Sequence, residues 1–166
     1  MKRICIAAVA LCFIGTAFAA DSWVEIKENM SKIQFPVRPK DSAIPGGKQF
    51  VVEREGGSVA MIFAYSNLAP GFNVDNPADV DAMFARISDA LTKSLPGSKI
   101  IASKDSKHLG KFPMREVDLE VPLLGVYRTR LTVTSRHLYQ VTILGPKDYL
   151  AKDEAKKFMG SFQLDK

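Results

Sequence analysis

Cysteine is nearly absent from this chain of 166 residues, and the two present, Cys5 and Cys12, both lie near its start. Everything after residue 12 must therefore fold without a disulfide, a thiolate metal site or a thiol nucleophile. Histidine is almost as scarce, with only His108 and His137. A zinc centre asks for three or four His, Cys or carboxylate ligands, and no His-x-x-x-His pair is present. Glycine-rich phosphate loops, dinucleotide fingerprints and a Gly-x-Ser-x-Gly elbow are missing as well. Long apolar runs are limited to one, from Ile4 to Phe18. No low-complexity tract or internal repeat interrupts the rest.

That one apolar run reads as an export signal. Lys2 and Arg3 precede it, and Ala17-Phe18-Ala19 places small residues where a signal peptidase reads them. It is short against the ~20 residues of a spanning helix. We expect residues 1–19 to be a cleaved signal peptide, 20–166 to form one α+β domain, and the product to be periplasmic or secreted without a transmembrane anchor. Leu11 precedes Cys12 where a lipidated cysteine would want a small residue. Losing Lys2 and Arg3 takes the formal net charge from +5 to +3, too little to argue for nucleic acid. At 46% hydrophobic and 25% charged, the composition is that of an ordinary globular domain.

Trp23 to Ile26 and Ile33-Gln34-Phe35 are strand candidates, the second ended by Pro36 and Pro39. Pro45-Gly46-Gly47 marks a loop. Gln49–Glu55 and Ser58–Ser66 flank Gly56-Gly57, as in a hairpin. In the second of these strands Val59, Met61, Phe63 and Tyr65 alternate with Ala60, Ile62 and Ala64. Both faces are apolar, which predicts cover on both sides.

Asn76 before Pro77 is an N-cap followed by proline at the first helical position. Asp79 and Asp81 suit the positive end of the helix dipole. Val80, Met83, Phe84, Ile87 and Leu91 then trace one helical face until Pro96-Gly97. Asp75, Asp79 and Asp81 lack the spacing of a calcium loop, and capping accounts for them. Four strands follow, Lys99–Lys107, Lys111–Val121, Val126–Thr134 and His137–Leu144, with connections short enough to make neighbours antiparallel. Asp153–Met159 is a short helix with Ala155, Phe158 and Met159 inward. Phe162 and Leu164 form a final apolar tether.

Leu138-Tyr139-Gln140-Val141, Gly145, Ala155 to Phe158 and Ser161-Phe162-Gln163-Leu164 together resemble small secreted bacterial proteins of the PsbP-like family. Ile33-Gln34-Phe35-Pro36 and the helix at 77–94 fit the same plan, so the resemblance spans residues 23–164. It implies an α/β/α sandwich, an antiparallel sheet covered by helices. PsbP itself is an extrinsic subunit of the photosynthetic oxygen-evolving complex, so the resemblance also implies an accessory or binding role. No family active site, metal or cofactor is carried over with it.

The most ordered polar pattern lies on two strands. Glu116, Asp118 and Glu120 alternate with apolar residues, and so do Arg128, Arg130 and Thr132. If the strands pair through Pro122–Gly125, acids and arginines meet on one face, with Gln140 and Thr142 extending it. Such a face is either solvated and laced with ion pairs or a recognition surface whose arginine forks bind carboxylate or phosphate. Lys93, Lys99, Lys104, Lys107 and Lys111 form a loose basic stretch, which touches anionic lipid or cell-wall polymer or merely keeps a strand edge unpaired. His108 is expected exposed beside the Leu109-Gly110 turn, and His137 at a strand end. The expected function is a non-catalytic binding or accessory module for an envelope protein partner, with no cofactor. One rival is an enzyme with dispersed acid and base residues. Another is a small-ligand carrier with a pocket lined by Tyr65, Phe84 and Tyr139.

Overall fold

The computed structural model describes residues 23–165. The expected signal peptide at residues 1–19, with its expected cleavage point, lies outside the described residues. The chain forms ten strands among the described residues. They are β1 (Val24–Glu28), β2 (Ser31–Phe35), β3 (Lys40–Ile44), β4 (Gly47–Arg54), β5 (Val59–Asn67), β6 (Lys99–His108), β7 (Phe112–Val121), β8 (Gly125–Val133), β9 (His137–Gly145) and β10 (Gln163–Leu164). The helices are α1 (Pro77–Ser94) and α2 (Asp153–Gly160). Asn76 caps α1, its side-chain oxygen accepting from the Ala78 amide at 3.1 Å.

Seven strands form one antiparallel sheet in the order β3-β4-β5-β9-β8-β7-β6, and β1-β2-β10 form a second, three-stranded sheet. Strand β3 is absent from the sequence reading. Its residues are exposed on both faces except Ile44, so no apolar alternation betrays it. The C-terminal tether is itself a strand, β10, paired with β2.

One face of the large sheet carries α1. Val80 and Phe84 pack on Leu131 and Val133, while Leu91 packs against the cluster of Val117, Leu119, Val121 and Tyr127. The opposite face carries α2 and the small sheet. There Phe35, Phe158, Phe162 and Leu164 close over Phe50, Met61, Phe63, Tyr139 and Ile143. Burying these rings and branched chains contributes about 1.5–3 kcal/mol each. The two covering layers are offset. The first lies over β7, β8 and β9, the second over β4, β5 and β9. The expectation that β5 is covered on both sides holds only in part: Ala64 is buried, but Ala60 and Ile62 remain half-buried, because α1 sits over the other end of the sheet.

Candidate functional site

The register brings the predicted acids and arginines together on the α2 side. Glu116 faces Arg130 and Asp118 faces Arg128 across β7 and β8. Arg128 donates from Nε and Nη2 to the two Asp118 oxygens at 2.8 and 2.7 Å, a bidentate fork. Hydrogen bonding to the accepting Asp118 carboxylate, and its charge, hold the Arg128 guanidinium above its ordinary pKa, against the opposing pull of burial. Arg130 donates from Nε and Nη2 to Glu116 Oε2 at 3.2 and 2.8 Å, and from Nη1 to the Met159 carbonyl at 2.9 Å. Glu120 is exposed, between Val126 on β8 and Lys99 on β6.

Both forks are thus occupied by carboxylates of the same sheet. A ligand carboxylate or phosphate would have to displace Asp118 or Glu116 to reach them. Arg130 also ties the C-terminal end of α2 to the sheet, which makes this ladder a joint between layers.

Gln140 does not belong to it. Val133 pairs with Leu138, so even-numbered β8 residues face odd-numbered β9 residues. Arg130 therefore faces Val141, while Gln140 points to the α1 side opposite Leu131. There its amide donates to the Tyr127 hydroxyl at 3.0 Å, beside the buried Thr129–Thr142 hydroxyl pair at 2.8 Å. A one-residue phase difference moves a side chain to the other face, and sequence alone left that phase unset.

The carrier pocket is also corrected. Tyr65 and Tyr139 are cross-strand partners on the α2 side, whereas Phe84 packs on the α1 side. The sheet separates Phe84 from the two tyrosines. His108 is half-buried rather than exposed. Its ring lies 5.1 Å from that of Phe162, and its Nε2 is buried without a partner among the described residues. Burial, then the Arg130 charge, lowers its pKa. His137 packs 5.8 Å from the Tyr139 ring and edge-on to Tyr65, and burial followed by the Arg136 charge lowers its pKa too.

A different end of the molecule gathers groups that remain uncommitted. The β1–β2 turn, the β6–β7 turn, the β8–β9 turn and the residues at Leu164 and Asp165 surround a cavity of about 630 Å³. Met30, Leu109, Phe112 and Leu164 give it an apolar wall, and Lys111 and Arg136 stand at its rim. Neither cation takes part in an ion pair among the described residues. Across the shared wall of Lys111, Phe112 and Ser135 lies a second cavity of about 620 Å³, reaching the start of α1.

The backbone here is unusual. Asn29 and Met30 have φ of 47° and 62°, and Leu109 and Gly110 have 53° and 69°. Two successive positive φ values define type I′ turns, which favour Asn-Gly. Met30 and Leu109 instead put large apolar side chains at such positions, 61% and 63% exposed. The first turn is pinned from both sides. The Tyr139 hydroxyl donates to the Asn29 carbonyl, and the Asp165 amide donates to the Met30 carbonyl at 2.7 Å. Burial first, then the charge of Asp165, raises the Tyr139 pKa to about 12, so it stays a donor at neutral pH. The sequence signal for Met30 and Leu109 is a bulky apolar residue standing beside asparagine or glycine in a turn of two or three residues.

No family model matches the chain, and no curated protein matches it. Among solved structures it is similar to the cyanobacterial PsbP, CyanoP, of Synechocystis, with 13% identity and a TM-score of 0.62 over 90% of this chain and 98% of that one. It is also similar to a protein of unknown function from Pseudomonas aeruginosa, at 16% identity and a TM-score of 0.46, over 78% of this chain and 86% of that one. The likeness to CyanoP, together with two helices and large antiparallel sheets, shows that this chain has an α+β, PsbP-like fold.

Proposed function

We propose that the protein is a non-catalytic accessory module of the cell envelope, periplasmic or secreted, which docks on a partner through the end of the sheet marked by Met30 and Leu109. The observation that carries this reading is the contrast between two surfaces. The charged ladder spends its arginine forks on its own carboxylates. The turn end presents two exposed apolar side chains on left-handed backbone beside two unpaired cations. Such backbone costs free energy that an asparagine or glycine would avoid, and costs of this kind gather at binding sites. The PsbP-like fold supports an accessory role, and the signal segment at 1–19 supports export, with residues 20–166 as the working domain.

The experiment is site-specific photo-crosslinking of the mature protein in its native envelope, with the crosslinker at position 109 in one sample and at position 128 in another. We expect a discrete adduct from position 109 and none from position 128. An adduct from 128 alone would overturn the assignment and return the role to Glu116, Asp118, Glu120, Arg128 and Arg130.

A further inference from the structure

We infer that the turn end docks on an anionic lipid surface, with the Met30 and Leu109 side chains entering the interface and Lys111 and Arg136 meeting the headgroups. This rests on the docking end just described and names its partner. The apolar groups stand in two hairpin turns, Met30 61% and Leu109 63% exposed at the mouth of the cavity, which suits insertion into an interface. Their backbones are held by the Tyr139 and Asp165 hydrogen bonds and by the β6–β7 turn, where the Lys111 amide donates to the His108 carbonyl at 3.1 Å. Little ordering is left to be done on contact.

Charge favours the same surface. Lys111 lies 5.0 Å over the Phe112 ring, and its ammonium group pairs with no carboxylate among the described residues. Lys107 lines the adjoining cavity. Against these stands Asp165 at the rim. Around the adjoining cavity Arg115 forks Asp105 and reaches Asp81 at 3.3 Å, so one cation meets two carboxylates there, with Asp75 beside them. The positive surplus is confined to the rim of the first cavity, where Lys111 and Arg136 outnumber Asp165, and anionic headgroups attract such cations over about a Debye length.

The test is co-sedimentation of the mature protein with phosphatidylcholine vesicles, with and without phosphatidylglycerol, at low and high salt. We expect partition onto the anionic vesicles that weakens with salt. Replacing Lys111→Gln with Arg136→Gln should lower the partition coefficient about 25-fold, roughly fivefold for each charge. Leu109→Asn should lower it at least about fivefold while the thermal midpoint holds or rises, which separates lost contact from lost fold. Lys99→Gln with Lys104→Gln removes the same charge elsewhere on β6 and should leave partition unchanged. Equal loss in that control would reduce the effect to net charge and overturn the inference. Failure of the unaltered protein to bind anionic vesicles would overturn it too. In that case a crosslinked protein at position 109 would leave the docking end standing with a protein as its partner, and silence in both experiments would remove both readings.

Discussion

Replacing Leu123 by glycine should make the protein more stable. Leu123 follows Pro122 in the β7–β8 turn, where the Leu124 amide donates to the Val121 carbonyl at 3.2 Å. Its φ is 67°, at the position a type II turn reserves for glycine or asparagine. A β-carbon in left-handed backbone costs about 1–2 kcal/mol. The side chain is 105% exposed, so no burial offsets that cost and none is lost on truncation. Glycine returns about 0.5–1 kcal/mol to the unfolded chain as entropy. The net expectation is a gain of about 0.5–1 kcal/mol, or a rise of about 1–4 °C in Tm for a domain of this size. Urea and thermal unfolding of Leu123→Gly, with Leu123→Asn as companion, provide the assay. Leu109→Asn gives an internal contrast. About a third of Leu109 is covered, and losing that contact removes about 0.5–1 kcal/mol of the relief. Leu123→Gly should therefore gain more than Leu109→Asn. If Leu123→Gly instead loses 1 kcal/mol or more, bulky residues in these turns are not strained, and the argument that Met30 and Leu109 are kept for contact fails with it.

Asp118→Ala should destabilise by about 1–2 kcal/mol, because it strands a half-buried guanidinium. A double-mutant cycle with Arg128→Ala should recover a coupling of about 1 kcal/mol, and a coupling near zero would show that the fork is solvated. Both histidines have pKa values lowered by burial, so the unfolded chain binds more protons than the folded one below pH 6.5. Their contribution to stability is complete above pH 6.5 and is lost as pH falls through the folded values. Urea midpoints between pH 7.5 and 5 should therefore drop, and His108→Phe should flatten that slope; an unchanged slope would refute the assignment. A β-carbon at Gly47 would stand 1.8 Å from the Tyr65 carbonyl oxygen, so Gly47→Ala should cost at least about 2 kcal/mol in a denaturant melt. Gly56→Ala meets no neighbour within 4 Å and should cost only about 1 kcal/mol, from its φ of 67°.

What the sequence disclosed follows the range of the forces involved. Helix α1 was legible because its cap, its proline and its apolar face lie within a few consecutive turns. The hairpins β4–β5, β6–β7, β7–β8 and β8–β9 were legible because each pairs neighbours across a short turn. Strand β3 was not, since an exposed edge needs no apolar pattern. That the acids of β7 and the arginines of β8 meet on one face could be read from alternation and a short turn, while the partners, Glu116 with Arg130 and Asp118 with Arg128, come from the register. Gln140 could not, because its face depends on a turn register that shifts the phase by one residue.

The turn end escaped sequence reading for a deeper reason. Its parts come from four places in the chain, and only the two-sheet arrangement brings Met30, Leu109, Arg136 and Asp165 together. Strand β10 pairs with β2, and the Asp165 amide beside it closes on Met30. The Tyr139 hydroxyl reaches Asn29 from the large sheet. The same contacts that join the small sheet to the large one therefore set the position of the Met30 side chain. Core and docking end are coupled through Tyr139. Tyr139→Phe keeps the ring stack on Phe63 and removes the hydrogen bond to the turn. It should lower stability by about 1 kcal/mol and weaken vesicle partition more than that loss of stability explains. A variant that loses stability without losing partition would show that the β1–β2 turn holds its shape unaided, and would uncouple the two.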